Sequence, residues 1–396
     1  MRIEETICHF VEPRWLFVEI RTSDGITGWG EAATEPWHLT IGTAIGELGE
    51  QIKGRDPLDI EDIWQCMTGG RFYAGGAISG SAVGAIDMAL WDIAGKAAGL
   101  PIHEMLGGPV RDRMRAYSWI TMDDHGRDPA KIADWEYGQA AAERVAAGFT
   151  AVKAGFGRSD TDALALIETP ARLDRMVSYL GAIRDAIGPS VDLAVDLHGR
   201  CSRQLAIQAL PLLEPLHLLF VEEAVLPTYD NAWRELAALT RTPLATGERL
   251  HTLHDFKVVL DCGVTVLQPD LGNAGGISEA VRISHLARQY DAVLAPHCAG
   301  GPIGLAASLQ LGFAMSNVII QEQGVDYYTR ELLGVALLDY VVDPDCFAIT
   351  DGYFAPLTKP GLGIEIDREA LARHSWTPQS WLPPIQRRRD GTFAEW

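Results

Sequence analysis

The sequence has few cysteines and no long apolar run, and these two shortages narrow the environment in which the protein works. Its six cysteines are scattered among 396 residues without a CxxC pair, which is typical of reduced thiols. No stretch approaches the ~20 consecutive apolar residues that a membrane span requires. The N-terminal residues lack the basic, apolar and small-residue regions of a signal peptide. We therefore expect a cytoplasmic protein without a membrane partner.

Basic residues are scarce relative to acidic ones. The 33 lysines and arginines face 53 aspartates and glutamates, and the formal net charge is −20. Such a chain lacks the basic surface that nucleic acid binding requires, so no nucleic acid partner is expected. The same charge repels an anionic small molecule at long range. A site for an acidic substrate would have to reverse the potential locally, and a divalent metal held by carboxylates would do so.

The length of 396 residues suits two domains. Residues 1–112 begin with alternating strands around an Asp24-Gly25 turn and continue with a helical pattern that ends at Gly99. We predict an α+β domain there. Residues 356–396 lack a regular alternation of strands and helices, and we predict that they pack back on this first domain.

Residues 113–355 show a regular rhythm of short apolar runs. Each run is typical of a buried parallel strand, and each interval has room for a crossover helix. Two early runs, at 116–120 and 150–155, precede six whose polar end residues are 26, 26, 22, 27 and 25 residues apart. Eight such strands predict an α/β barrel of the TIM type, with its active site at the C-terminal strand ends. The six polar end residues are Asp196, Glu222, Glu248, Asp270, His297 and Glu322.

The first three of these residues predict a metal site. Asp196, Glu222 and Glu248 end successive strands, so their carboxylates should converge at the barrel mouth. Hard oxygen ligands without a thiolate suit Mg²⁺, and Mn²⁺ would fit the same ligands. Any one of them could instead cap a helix, but three at equal spacing favour a metal. Strand alternation points the neighbouring Glu223 to the other face, which makes it a weaker ligand candidate.

Two histidines predict acid–base chemistry at the same mouth. His198 lies two residues beyond Asp196, and His297 ends strand seven, nearly opposite strand three in an eight-stranded ring. The two imidazoles should therefore flank a bound ligand. Asp270, which ends the adjacent strand six, could fix the tautomer of His297 and raise its basicity.

The remaining strand ends complete the predicted chemistry. Glu322 ends strand eight, where its carboxyl could hydrogen-bond a developing oxyanion or orient a hydroxyl. Lys153 ends strand two, where it could pair with a substrate carboxylate. A metal beside a strong base serves proton abstraction next to a carboxylate, and an opposing acid could protonate a leaving hydroxyl. The parts predict a dehydration.

Several motifs carry a family resemblance. With GITGWGEA, VDLHGR, LQPDLGNAGGI and APHCAGGPIGLAA, the chain resembles the mandelate racemase-like sugar-acid dehydratases of the enolase superfamily. The resemblance implies an N-terminal α+β capping domain, a modified TIM (β/α)7β barrel and a homo-oligomer. It implies Mg²⁺ on Asp196, Glu222 and Glu248. It assigns the base to His297 with Asp270, the acid to His198 and enolate stabilisation to Glu322. The implied substrate is an aldonate such as galactonate, converted to a 2-keto-3-deoxy acid.

The resemblance also implies that loops of the capping domain close over the sugar. Loops near residues 14–37 and 71–76 supply the candidates for specificity, which are Trp15, Glu35, Trp37, Arg71 and Tyr73. Where family members with a lysine base carry KxK on strand two, this chain has Lys153-Ala154-Gly155. Because glycine cannot act as a base, this departure argues against a racemase that uses lysine and histidine.

Two alternatives remain open from the sequence. An epimerase could use His297 and His198 on opposite faces of the same enediolate, and incubation in D₂O would then return deuterated epimers without a keto acid. A non-catalytic ligand-binding barrel is the other alternative, which a failure to bind Mg²⁺ would favour.

Overall fold

The computed structural model describes residues 1–33, 36–70, 72–73, 75–120, 132–155, 166–378, 385, 387–388 and 390–394. The chain begins with an antiparallel sheet whose central strand, β2, lies between β1 and β3. The strands are β1 (Ile3–Val11), β2 (Trp15–Thr22) and β3 (Thr27–Ala32). Helices α1 (His38–Ile52) and α3 (Ala77–Ala98) pack on them, and α2 (Ile60–Thr68) packs on α3. We call these six elements the capping unit.

Helix α3 lies directly against β3. A methyl group at Gly28 or Gly30 would collide with the backbone carbonyl of Ala89 or Ala85, so glycine at these two positions permits the close approach. By length and composition α3 is the one described helix that could cross a membrane, but most of it is buried inside the fold. Its apolar character reflects its place in a protein core.

Seven parallel strands follow one another around a curved sheet. They are β5 (Ser118–Ile120), β6 (Ala151–Gly155), β7 (Asp192–Asp196), β8 (Val221–Glu222), β9 (Leu244–Thr246), β10 (Val266–Leu267) and β11 (Val293–Leu294). Residues 318–321 take the eighth position, through single bridges from Val318 to Leu294 and from Gln321 to Ala116. These bridges close the ring, and the predicted barrel with its α+β capping unit is confirmed.

Side chains from alternate strand positions fill the barrel interior. This inner cluster is Tyr117, Ala151, Ala194, Phe220, Ala245, Val266, Ala295 and Ile320. Its members follow the strand alternation that points every second residue inward. The interior is therefore a packed core, and polar groups are displayed at the strand ends.

Helices connect and surround the strands. They are α5 (Asp134–Ala146), α6 (Pro170–Ile187), α7 (Arg203–Leu213), α8 (Asp230–Leu239), α9 (Leu253–Asp261), α10 (Gly276–Gln289) and α11 (Pro302–Ala314). The shorter elements are α4 (Ile102–Met105), α12 (Arg330–Leu333), α13 (Arg368–Arg373), β4 (Met114–Arg115), β12 (Ile349–Thr350) and β13 (Tyr353–Phe354).

The C-terminal segment returns to the capping unit. The backbone N–H of Trp376 donates to the carbonyl of Phe10, and that of Glu12 donates to His374, each at 2.9 Å. The side chain of Arg368 also lies 2.7 Å from the buried carboxylate of Glu19. The domain boundaries at residues 112 and 355 stay a prediction.

Candidate active site

Three carboxylates at the ends of β7, β8 and the run after β9 form a cradle. One oxygen from each of Asp196, Glu222 and Glu248 lies within 4.8 Å of the others. Burial, opposed by Lys153 and reinforced by Glu248, raises the pKa of Asp196, and burial and Asp196 raise the pKa of Glu222. The buried Glu222 Oε1 has no hydrogen-bond partner among the described residues. A divalent cation fits this site because it would neutralise the charges and occupy that oxygen.

Lys153 partly neutralises the negative charge of the cradle. Its buried Nζ lies 2.6 Å from Glu222 Oε2, 3.6 Å from Asp196 Oδ2 and 3.1 Å from Glu322 Oε1. Burial alone would lower the pKa of Lys153, but these carboxylates outweigh it and raise the pKa well above its ordinary value. The structure thus places the ammonium group of Lys153 among protein carboxylates. Its contact with a substrate carboxylate stays a prediction.

His297 and Asp270 form the pair that the sequence predicted. His297 Nδ1 lies 2.7 Å from Asp270 Oδ2, so Nε2 is the nitrogen left to face the cradle, 3.2 Å from Glu248 Oε2. Burial alone would lower the pKa of His297, but the carboxylates of Glu322, Asp270 and Glu248 raise it well above the ordinary value. A basic imidazole with a fixed tautomer follows from this geometry.

His198 borders the cradle on the opposite strand. Its backbone N–H donates to Asp196 Oδ1 at 2.7 Å, and its ring Nε2 lies 3.3 Å from Asp196 Oδ2. The residue has a left-handed backbone with φ 50°, a conformation that is costly outside glycine and concentrates at functional sites. The ring is 32% exposed, and burial of the rest lowers its pKa to about 3. In this environment the ring is neutral near pH 7.

Glu322 has both carboxylate oxygens engaged. Trp119 Nε1 donates to Oε1 at 2.6 Å, and the backbone N–H of Cys298 donates to Oε2 at 3.1 Å. Burial would raise the pKa of Glu322, but Lys153 and His297 outweigh it and lower the pKa. Of the two roles that the sequence left open for this residue, the geometry favours the ionised one, in which it accepts a hydrogen bond.

The sequence analysis missed Trp119, which contacts several members of the site. Its ring stacks on His198, with centroids 6.0 Å apart and planes 19° from parallel. Lys153 Nζ lies 4.4 Å from the centroid of the same ring. Because Trp119 lies one residue before the end of β5, close to the strand ends that carry the other site residues, an extended form of the same rule could have found it.

Arg249 was also not among the site residues predicted from the sequence. It provides an ion-pair partner for Glu223. Arg249 Nε lies 3.3 Å from an oxygen of Glu223 and 3.3 Å from one of Glu248, and its Nη2 donates to the carbonyl of His198 at 2.9 Å. Thr246 Oγ1 donates to the other oxygen of Glu223. Glu223 therefore supports the cradle from outside, as its predicted weakness as a ligand implies.

The predicted specificity residues occupy different environments. Trp15 is only 4% exposed and packs edge-on against Tyr328 and Tyr340, with centroids 5.5 and 5.6 Å away. Trp37 is 51% exposed and Tyr73 is 90% exposed. The structure thus gives Trp15 a packing role instead of an open surface. Glu35 and Arg71 lie outside the described residues, and the contacts of all five with substrate stay predictions.

Gly155 leaves space beside His198. A methyl group there would lie 3.4 Å from Trp119 Cζ3 and 3.8 Å from His198 Cε1. Tyr179 donates its hydroxyl to the carbonyl of Gly155 at 2.6 Å. The position that a second lysine would occupy in a KxK strand therefore opens onto the acid–base site without a titratable group of its own.

Comparison with known proteins relates this arrangement to one family. Residues 6–107 match the N-terminal domain of mandelate racemase/muconate lactonizing enzyme, and residues 136–370 match the enolase C-terminal domain-like family. A D-galactonate dehydratase of Variovorax paradoxus (strain S110) is 43% identical over 398 residues, with both chains fully covered. A D-galactonate dehydratase of Xanthomonas oryzae pv. oryzae (strain PXO99A) is 43% identical over 397 residues, again with full coverage.

Solved structures give the same relationship. A member of the enolase superfamily from Salmonella Typhimurium has a TM-score of 0.84 and 30% identity, covering 94% of this chain and 98% of that one. A mandelate racemase/muconate lactonizing enzyme from Jannaschia sp. CCS1 has a TM-score of 0.86 and 30% identity, covering 95% and 98%. Relatives named as dehydratases over the full length leave no support for a non-catalytic barrel. The chain belongs to the mandelate racemase/muconate lactonizing enzyme family of the enolase superfamily, and it is a hydro-lyase.

Proposed function

We propose that the enzyme is a Mg²⁺-dependent dehydratase that converts an aldonate such as galactonate to a 2-keto-3-deoxy acid. One observation carries the proposal: the His297–Asp270 pair and His198 border the same carboxylate cradle from nearly opposite strands. The D-galactonate dehydratase names of its relatives support the substrate class.

In the proposed reaction, His297 Nε2 removes the proton from C2 of the acid. Asp270 holds Nδ1 and so directs Nε2 toward that proton. A cation on the cradle would oppose the carboxylates that raise the pKa of His297 and would leave Nε2 unprotonated when the substrate binds. Asp196, Glu222 and Glu248 would hold Mg²⁺, which would supply positive charge that favours the negative charge developing on the substrate. Mn²⁺ would suit the same oxygen ligands. The ionised Glu322 would accept a hydrogen bond from the substrate, and Lys153 would balance the negative charge beneath it.

His198 provides the second proton. Its pKa of about 3 leaves the ring neutral in the free protein, so the ring must gain a proton as the anionic substrate binds beside it, because a nearby negative charge raises the pKa of an imidazole. The protonated ring then donates to the leaving 3-hydroxyl, which departs as water. The C2 proton remains on His297, and the enol product tautomerises to the keto acid. Acid and base on opposite faces imply an anti elimination.

The test is a screen of aldonates and aldarates with Mg²⁺, read by semicarbazide detection of keto acids. We expect the wild-type chain to dehydrate an aldonate and His297→Asn to lose roughly 10²–10⁴-fold in rate, with an unchanged circular dichroism spectrum. Full dehydration activity in His297→Asn would disprove the assignment of the base.

We further propose that the protein is cytoplasmic and forms a homo-oligomer.

The position of His198 across the cradle from His297, together with the lowered pKa of its ring, supports a second candidate function. A neutral imidazole can accept a proton, so His198 and His297 could act as the two bases of a sugar-acid epimerase. Incubation in D₂O separates the candidates, because an epimerase returns deuterated epimers without keto acid. Keto acid formation at the rate of C2 exchange would instead favour the dehydratase.

A further inference from the structure

Two short loops connect His297 and Asp270 to the barrel helices that follow them. Residues 298–301 lead from His297 to the start of α11, and residues 271–275 lead from Asp270 to the start of α10. We call them the base loops. The first residue of the first loop, Cys298, donates its backbone N–H to Glu322. Groups that hold the far ends of these loops can therefore influence the orientation of the His297 and Asp270 side chains.

The far end of the first loop is held by Glu31 of the capping unit. Its buried carboxylate accepts the backbone N–H of Gly301 and, at 2.8 Å, that of Gly304. The first N–H groups of a helix have no partner within the helix, and a carboxylate there also interacts favourably with the helix dipole. Glu31 thus caps α11 from a strand 270 residues earlier in the chain.

The loop is also packed tightly against this carboxylate. A methyl group at Gly300 would lie 2.9 Å from Glu31 Oε1, and one at Gly301 would lie 3.0 Å from it. Glu31, Asp270 and His297 line the same narrow cavity. Glu31 therefore lies close behind the base pair without a hydrogen bond to either member, and it can act on them through the loop.

The capping unit also holds the second base loop. The backbone N–H of Ala33, the residue directly after β3, donates to the carbonyl of Gly272 at 3.3 Å. Asp87 on α3 accepts the backbone N–H of Ser278 at 3.0 Å and its hydroxyl at 2.6 Å, in the first turn of α10. Both loops therefore end on groups of the capping unit, although their catalytic side chains belong to the barrel.

We propose that Glu31 is a positioning residue for the His297–Asp270 pair. By fixing the end of loop 298–301, it keeps His297 Nε2 within reach of the C2 proton, so docking of the capping unit and alignment of the base are coupled. The inference rests on the proposed function. Catalysis is sensitive to such alignment, because a displacement of about 1 Å by a remote substitution can reduce the rate roughly 100-fold.

The decisive variant is Glu31→Gln, which keeps the side-chain volume but turns an amide N–H₂ toward one of the two backbone donors. We expect kcat to fall roughly 10- to 100-fold with little change in KM. We also expect a larger primary isotope effect on kcat with C2-deuterated substrate, since proton abstraction becomes slower relative to other steps. An unchanged kcat and isotope effect in the folded variant would overturn the proposal.

Asp92→Asn is the matched control. Asp92 is a buried carboxylate of the same unit that accepts the backbone N–H groups of Trp29 and Leu362, at 3.0 and 2.9 Å, and pairs with Lys96 at 2.6 Å. Its hydrogen bonds to described residues include none to either base loop. We expect this variant to lose thermal stability without a change in the isotope effect. If Asp92→Asn and Glu31→Gln change kcat and the isotope effect equally, Glu31 acts only through stability and the proposal is wrong.

A second variant and a spectroscopic readout keep the proposal testable. Gly300→Ala presses a methyl group on Glu31 without removing the carboxylate, and it should reproduce the kinetic changes if Glu31→Gln does not fold. The Nδ1 proton that His297 shares with Asp270 can be followed by NMR in the full chain, and we expect Glu31→Gln to shift or broaden it. This signal needs no substrate. A wild type inactive on every sugar acid would therefore refute the proposed function, while an unchanged Nδ1 signal would refute the positioning role.

Discussion

The barrel mouth and the capping unit both bury carboxylates, but they treat them differently. At the mouth, Asp196, Glu222 and Glu248 crowd together around one point, and one oxygen of Glu222 has no hydrogen-bond partner among the described residues. In the capping unit, Glu31 and Asp87 each accept two hydrogen bonds from residues at the start of a barrel helix.

This difference in hydrogen-bond donors distinguishes carboxylates that bind a ligand from carboxylates that hold the structure together. A buried carboxylate with satisfied oxygens is held in place by its donors, and removing it leaves those donors unpaired. Carboxylates that mainly repel one another destabilise the empty protein and gain from a cation. Burial and charge are similar in the two regions, so the supply of donors is what distinguishes them.

The largest predicted effect is the loss of the cradle. Glu222→Gln should lower kcat/KM roughly 10³-fold, because stabilisation by a bound metal is worth several kcal/mol. Its unfolding free energy without metal should fall less than that of Asp92→Asn. The loss of the 2.6 Å ion pair with Lys153 is offset by the removal of a repelling charge, and Lys153 keeps Asp196 and Glu322 as partners. Urea denaturation in EDTA, beside steady-state kinetics, checks both. The comparison fails if Glu222→Gln is destabilised as much as Asp92→Asn.

Stabilisation by Mg²⁺ should depend on the carboxylates of the cradle and not on those of the capping unit. Mg²⁺ at 100 times its Kd should raise the unfolding free energy of the wild type by about 2.7 kcal/mol. Asp87→Asn should retain this gain, because Asp87 contacts α10 and not the cradle. Thermal denaturation at increasing Mg²⁺ concentration measures the shift. An equal shift in Glu222→Gln would place the cation elsewhere.

The pH dependence of stability should reveal the capping carboxylates. Burial, opposed by the hydrogen bonds from Ser278, raises the pKa of Asp87 to about 7, above the usual value near about 3.9. Its protonated form therefore stabilises the fold at low pH, and this contribution is lost as the pH rises through about 7, at most by roughly 1.4 kcal/mol per unit. Urea denaturation from pH 5 to 8 should show the stability of the wild type falling relative to Asp87→Asn. A difference independent of pH would refute the shift.

The smallest predicted effect concerns Glu322, a mouth carboxylate with satisfied oxygens. Trp119→Phe keeps an aromatic ring on His198 but removes the donor to Glu322, so we expect about a 10-fold lower kcat, as for a lost hydrogen bond to a charged group. Trp119→Leu removes the ring as well and should lose more. Steady-state kinetics with circular dichroism compares them. Equal losses in both variants would show that the indole N–H to Glu322 matters and the ring contact with His198 does not. An unchanged kcat in Trp119→Phe would contradict the prediction.

The strand rhythm predicted the barrel and brought six polar ends to one mouth. It succeeded because buried parallel strands and their crossover helices recur at a nearly constant length. It predicted His297 beside Asp270, and the structure places them 2.7 Å apart. The family resemblance assigned the roles, which spacing alone left open.

Contacts between the two regions could not be predicted from local patterns. Nothing near Glu31 or Asp87 in the sequence indicates which helix start each would cap, because their partners are 270 and 191 residues away. Trp15 illustrates the same limit, since an aromatic residue at a strand start suits both a core and a substrate surface. Trp119 was within reach of the strand-end rule, but its indole was not weighed as a functional group.

The closure of the barrel has a consequence for how the protein loses activity. Residues 318–321 join their neighbours through two bridges and three backbone hydrogen bonds, whereas β6 and β7 pair over five residues. Regions with few backbone hydrogen bonds open first in local unfolding. Because Glu322 follows this segment, opening there would separate it from Trp119 and Cys298. Hydrogen exchange at residues 318–322 should therefore track inactivation on warming, at temperatures below those at which the barrel as a whole unfolds.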